Sequence, residues 1–203
     1  MKNTSLILYF DTTSSLSFGV CDQLGEWYFY QSYENSRSIS GKFHYLIFEE
    51  LSKLNLEMTE ITHLITCSGP GSYTGMRMAA SLSQTFKYAG KNVCSFYHFE
   101  LPSLLGIRRG IWDSKAYKGE VFVYQWDLDK KYEEKKLVNE TLYTEQRGGV
   151  NKGLTRFGFE ETTKLLKEES KKLIPLIVKR REERPLYYYR SIEEEYIPKR
   201  EGQ

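Results

Sequence analysis

The sequence has no closely spaced cysteines, no long apolar run, no excess of positive charge and no two histidines at metal-binding spacing. Each absence excludes something. Cys21, Cys67 and Cys94 lie far apart, each in or beside an apolar run, so buried free thiols are expected rather than a disulfide or zinc framework. That suits a reducing cytoplasm. The longest apolar runs are too short to cross a bilayer, and "MKNTSLILYFD" meets Asp11 before a signal-peptide core forms; no membrane association is expected. Basic and acidic residues number 29 and 27, a net charge of +2, which argues against a dedicated nucleic-acid binder while leaving open a partner that handles RNA. His44, His63 and His98 are scattered, and the residue four beyond His44 is Phe48. The i, i+4 metal pair of a helix is therefore missing, and buried or interface histidines are expected instead. No Ser–His–Asp or Cys–His arrangement and no internal repeat emerge.

What is present is a chain of 203 residues, long enough for a sizeable core, with 15% aromatics and 16 tyrosines. "SLILYFD", "SLSFGVCD" and "EWYFYQSYE" are short aromatic and β-branched runs divided by turn residues, which predicts three successive antiparallel strands. A helix follows over "SGKFHYLIFEELSKLN", with Phe43, Ile47, Leu51 and Leu54 on one face and His44 and Phe48 on a neighbouring row. Being apolar around most of its first half, it is expected to be covered on two sides, by this fold or by another chain. "ITHLITCSG" reads as a strand, the segment from Gly75 to Ala89 as a helix stopped by Gly90, "KNVCSF" as a strand and "FELPSLLGI" as a short helix. Met78, Leu82, Phe86 and Ala89 form the core stripe of the longer helix; Ala79, Ala80 and Ser83 are small enough for another helix to approach. Residues 1–110 are thus expected to form a mixed α/β lobe.

Residues 111–203 read as a smaller lobe. "EVFVYQWDL" is a strand with "KLVNETLYT" as its partner, and "GFEETTKLLKEESKKLI" is one charged helix. "GIWDSKAYKGE", with Asp113 and Glu120, reads as a solvated loop. The tail "KRREERPLYYYRSIEEEYIPKREGQ" reads as extended or partly disordered chain.

Two stretches carry candidate chemistry. In "GPGSYTG", Gly69, Gly71 and Gly75 permit tight turns that expose amides, and Ser72 or Thr74 can cap the following helix, whose N-terminus favours anions. The loop nevertheless lacks the P-loop lysine, since Met76 follows Gly75, and its spacing is G-x-G-x-x-x-G. It fits a phosphate cradle and a structural strand–helix turn alike. Asp11, at the end of the first strand before Thr12, Thr13 and Ser14, has the place of a phosphate-loop aspartate in actin-like ATPases. Those enzymes follow it with glycine rather than Thr12, so a turn-capping aspartate is the competing reading.

"SGPGSYTGMR" closely resembles the GPGSFTGLR motif of the TsaB (YeaZ) family, with Tyr73 for Phe, Met76 for Leu and Arg77 in place. "LILYFDTTSSLSFGV" resembles that family's opening strand and turn, His44 heads the helix where the family has a histidine, and "PLYYYRS" (Pro185 to Ser191) resembles its C-terminal PxYLR. The resemblance implies an actin-like (ASKHA, ribonuclease H-like) α/β fold, with a mixed-sheet N-terminal lobe and a reduced C-terminal one. It implies a non-catalytic subunit in making threonylcarbamoyladenosine at position 37 of tRNA: a partner that activates the TsaD transferase, with the ATPase TsaE docking on the pair, and tRNA reached only through the complex. On that reading there is no catalytic residue and no metal site. Asp11, Thr12, Gly69, Pro70, Gly71, Ser72, Thr74, Gly75 and Arg77 are a nucleotide-loop remnant. Phe43, His44, Ile47, Phe48, Leu51, Met76, Ala79, Ala80 and Ser83 form the partner interface, which also serves a homodimer when the chain is alone. No cofactor is expected on the isolated chain; ATP or ADP is expected only at the complex interface. The chain departs from the family at the second lobe, where Lys115 and Tyr117 replace the usual Asp and Arg and the match is poor from Leu137 to Arg181. The competing expectations are an autonomous enzyme of actin-like fold, a phosphotransferase or a glycoprotease-type peptidase, and a self-associating structural protein.

Overall fold

The protein is described by a computed structural model over residues 5–33, 42–146 and 154–189. Strands β1 (Leu6–Asp11), β2 (Leu16–Asp22) and β3 (Trp27–Tyr33) form the expected antiparallel meander. Helix α1 (Phe43–Lys53) then leads to β4 (Ile61–Cys67), and α2 (Tyr73–Tyr88) leads to β5 (Asn92–Phe96). Both strands run parallel to β1, giving the order β3-β2-β1-β4-β5. A turn at His98–Glu100 and the short α3 (Leu101–Leu104) end this part. A second sheet, ordered β8-β7-β6-β9, is built from β6 (Arg109–Lys115), β7 (Glu120–Asp127), β8 (Tyr132–Asn139) and β9 (Thr155–Phe157). Helix α4 (Glu140–Gln146) precedes β9; α5 (Phe159–Glu168) and α6 (Ser170–Arg180) follow it. No helix among the described residues is long and apolar enough to cross a membrane.

All six residues of β1 are buried because both faces of the first sheet are covered, which is why "LILYFD" is apolar without alternation. Leu6, Leu8 and Phe10 meet Phe43, Ile47 and Leu51 of α1 and Ala79, Leu82 and Phe86 of α2. Ile7 and Tyr9 face the other way, where Leu166 of α5 and Leu173, Ile174 and Ile177 of α6 close the core. The last two helices therefore cover the first sheet although they follow the second in sequence. Each such side chain, fully buried, is worth about 1.5–3 kcal/mol. The second sheet packs Trp112, Phe122, Tyr124 and Trp126 around Phe99, and Tyr187 and Tyr189 insert into the same cluster.

Three sequence expectations are corrected. "GIWDSK" is strand β6, not a solvated loop: Ile111 and Trp112 are fully buried, and Asp113 accepts from Tyr143 (2.9 Å) and Arg156 (3.0 Å). "ETLYT" is helix α4 rather than strand, because the Asn139 side chain accepts from the Thr141 and Leu142 amides (3.0 and 3.3 Å) and starts a helix there. The charged segment from 159 is two helices. They part at Glu169 because the β2–β3 turn docks there: Ser170, buried, donates to the Gly25 carbonyl (2.7 Å), and a Cβ on Gly25 would lie 2.6 Å from the Ser170 carbonyl carbon. The segment expected to open α1 and most of the charged tail, including Arg190 and Ser191, lie outside the described residues.

Candidate functional site: a closed glycine loop

The site lies at the carboxyl ends of β1, β4 and β5, where open α/β sheets place their ligands. Asp11, 2% exposed, ends β1. Its Oδ1 accepts the Thr13 amide (2.8 Å) and the Thr13 hydroxyl (2.7 Å), the aspartate turn anticipated from sequence. Its Oδ2 faces His98 Nε2 at 2.9 Å. His98 is 1% exposed, and its Nδ1 lies 2.9 Å from Thr162 Oγ1. That hydroxyl donates to the Gly158 carbonyl (2.6 Å), so it accepts from Nδ1–H. With Nε2 donating to Asp11, the ring is an imidazolium. Burial works against the cation, but its anionic surroundings prevail and hold the His98 pKa above its ordinary value. Burial likewise opposes the Asp11 carboxylate, and His98 and Thr13 together hold its pKa below the usual carboxylate range. Burial pushes the adjoining Cys67 thiol up.

The glycine loop lies directly on this turn. Thr12 Oγ1 donates to the Gly75 carbonyl (2.6 Å), and the Ser72 amide donates to the Thr13 carbonyl (2.6 Å). A Cβ on Gly75 would lie 2.7 Å from the Thr12 carbonyl carbon, and one on Gly71 would lie 2.6 Å from Thr13 Cβ. Gly75 is helical and is needed for this close approach, not for the positive φ that its sequence context suggested. Loop amides are also used internally. The Gly69 N–H points to Cys67 Sγ (3.4 Å), and the Gly75 N–H goes to Ser72 Oγ (3.2 Å), the N-cap of α2. The two turns that could cradle a phosphate between them are bonded to each other.

The segment 182–189 straps this seam from the β5 side. The Ser95 amide donates to the Glu182 carbonyl (2.9 Å), the Arg184 amide to Ser95 Oγ (2.6 Å) and Ser68 Oγ to the Arg184 carbonyl (3.0 Å). The Tyr187 amide donates to the Ser68 carbonyl (2.8 Å), while Arg184 pairs with Glu100 (2.7 Å). The "PLYYY" stretch thus seats Tyr187 and Tyr189 in the second core and turns Tyr188 outward, 5.5 Å from the Tyr73 ring.

The loop residues named from sequence come together: Asp11, Thr12, Gly69, Pro70, Gly71, Ser72 and Gly75 form the seam, while Thr74 and Arg77 are exposed on the first turns of α2. The interface residues do not share one outward face. Phe43, Ile47, Leu51, Met76, Ala79 and Ser83 are buried within this chain; Phe43, Ile47, Leu51 and Ala79 pack on its own sheet, and the Ser83 hydroxyl lies 3.4 Å from that of Thr66. Ala80 lines a small cavity together with Arg184, Pro185 and Leu186, so the small-residue face looks across it toward this chain's own segment. Outward on α1 stand His44, Tyr45 and Phe48, with Tyr45 69% and Phe48 56% exposed. Sequence reasoning missed the role of Cys67, His98 and Thr162; their separations in the chain leave no local spacing signal.

No protein-family model and no curated protein matches this sequence. Among solved structures, the chain resembles YeaZ from Pseudomonas aeruginosa, with a TM-score of 0.56 at 15% identity over 79% of this chain and 90% of that one. It also resembles a structure described as an uncharacterized protein with similarity to peptidase YEAZ from the same organism, with a TM-score of 0.55 at 17% identity, covering 76% of this chain and 74% of that one. The chain has the YeaZ fold, of actin-like ATPase type, as the loop motif led one to expect.

Proposed function

We propose that this chain is a TsaB-like, non-catalytic partner subunit in the formation of threonylcarbamoyladenosine on tRNA, activating a TsaD-like transferase on which a TsaE-like ATPase also docks. The observation that carries the non-catalytic part is the seam itself: Thr12 and Thr13 are bonded to Gly75 and Ser72 where a phosphate would lie. An actin-like enzyme needs that gap open, with backbone amides free to meet phosphate. The isolated chain therefore binds no nucleotide on this reading, and ATP or ADP is met only where a partner completes a site.

The geometry favours this reading over a peptidase with a nucleophile–base–acid relay. Asp11 meets His98 at Nε2, the only ring nitrogen not already committed to Thr162, and Cys67 lies in the same pocket with no exposure. A nucleophile–base–acid relay needs the acid and the nucleophile on opposite ring nitrogens and a route for substrate. The partner part rests on the resemblance of the loop motif, on the YeaZ fold and on α1, whose Tyr45 and Phe48 face outward beside His44. Exposed aromatics of this kind are typical of interface centres. The same surface supports a homodimer when the partner is absent.

Loss of the protein is expected to remove threonylcarbamoyladenosine from tRNA, measured by nucleoside mass spectrometry. Co-expression with the transferase is expected to give a stable pair that Phe48→Glu dissociates without unfolding either chain. Unchanged modification after deletion, or two separate monomers on gel filtration, would contradict the proposal.

A further inference from the structure

The fold gathers a carboxylate, a thiol and an imidazole from three separate segments: Asp11 from the end of β1, Cys67 from the end of β4 and His98 from the turn after β5. One donor atom from each lies within 4.8 Å of the others, and all three residues are buried. We infer that Asp11, Cys67 and His98 form a closed binding site for a single zinc-class divalent cation, one that fastens the glycine-loop seam.

The donors are aimed from behind, as metal ligands are. Thr162 Oγ1 accepts a hydrogen bond from His98 Nδ1–H (2.9 Å) and donates one to the Gly158 carbonyl, which leaves Nε2 as the nitrogen that faces Asp11 and Cys67. Asp11 has Oδ1 tied to the Thr13 amide and hydroxyl, which turns Oδ2 toward Nε2. Cys67 Sγ accepts the Gly69 amide (3.4 Å), which orients it, and its other contacts are longer, 3.6 Å to the Gly69 carbonyl and 3.8 Å to the Thr13 hydroxyl. Ligands of a tetrahedral zinc ion at about 2.0–2.3 Å stand roughly 3.2–3.8 Å apart, so the cluster needs only small side-chain shifts. The Thr13 hydroxyl, the Gly69 carbonyl and the Tyr9 hydroxyl, 3.3 Å from Asp11 Oδ2, are neutral oxygens near a fourth position. Charge also closes: one carboxylate and one thiolate neutralise a divalent ion, and binding releases the Cys67 thiol proton and the His98 Nε2 proton. Mixed N, O and S donors suit zinc over magnesium or calcium, which take oxygen alone. The sequence expectation of no metal rested on helical histidine spacing; this set is assembled by tertiary structure and has no such signature. With no open face for substrate, the ion's role is structural. The inference does not depend on the proposed transferase partner.

The test is metal content and cobalt substitution on the whole folded protein. Protein purified from zinc-supplemented medium is expected to carry a single zinc per chain, and a chelator is expected to lower its melting temperature. Cobalt(II) added to the stripped protein is expected to give tetrahedral d–d bands with a thiolate-to-cobalt charge-transfer band. Cys67→Ser should abolish the charge-transfer band, His98→Gln should weaken cobalt binding by about tenfold or more, and Cys94→Ser should leave both signals intact. Absence of zinc and of any cobalt band in folded wild-type protein would overturn the inference. So would a charge-transfer band that survives Cys67→Ser. If Cys67→Ser does not fold, the wild-type and Cys94→Ser spectra decide: a band in the first that vanishes in the second places the metal elsewhere.

Discussion

The two ends of the first sheet differ in a way that reverses the usual arrangement of open α/β folds. At the carboxyl ends of β1, β4 and β5, where such folds hold their ligands, the space is filled by the bonded turns and the Asp11–His98 pair. At the opposite end a groove of ≈ 690 Å³ lies between β4, β5 and α6, lined by Gln23, His63, Asn92, Lys179 and Arg181 among others. The family-resembling motif thus marks a place where the chain has made solid structure, and the open space lies where no motif points. A glycine-rich motif reports close backbone approach. Whether the approaching group is a phosphate or another stretch of the same chain is decided by tertiary structure.

Substitutions at the two ends should separate accordingly. The largest effect is expected at Asp11→Ala in the metal-free protein, where it leaves a buried imidazolium without its partner; a loss of about 3–5 kcal/mol is expected by urea denaturation. Gly75→Ala should cost about 3 kcal/mol, because the new methyl meets the Thr12 carbonyl, which belongs to backbone and cannot swing away. Gly90→Ala is the control: its Cβ would have nothing within 4 Å, so only the left-handed conformation is penalised, by about 1–2 kcal/mol. Ser68→Ala loosens the strap by deleting the bond to the Arg184 carbonyl, for about 1 kcal/mol. At the open end, Lys179→Ser should change stability by less than about 0.5 kcal/mol. Equal costs at the two ends would break the comparison.

The sequence made the first sheet legible because its strands are short aromatic runs between turn residues, and because α1 and α2 carry clean apolar stripes. The same stripes also read as a partner interface. Phe43, Ile47 and Leu51 lie where a helix meets its own sheet, and one-dimensional periodicity cannot tell a chain's own core from a partner's. Elsewhere a single side chain decided the local structure. Asn139 turns a strand-like "ETLYT" into α4 by capping, and the docking of Gly25 on Ser170 divides a helix that reads as continuous. The centre of the site was least legible. His98 lies 87 residues from Asp11 and 64 from Thr162, and no period or spacing connects them.

Closure of the glycine loop on the Asp11–Thr13 turn is expected to exclude phosphate from the isolated chain. Titration calorimetry of the purified protein with ATP and magnesium tests it directly. The account predicts no binding heat at millimolar nucleotide; saturable binding in the micromolar range would contradict it.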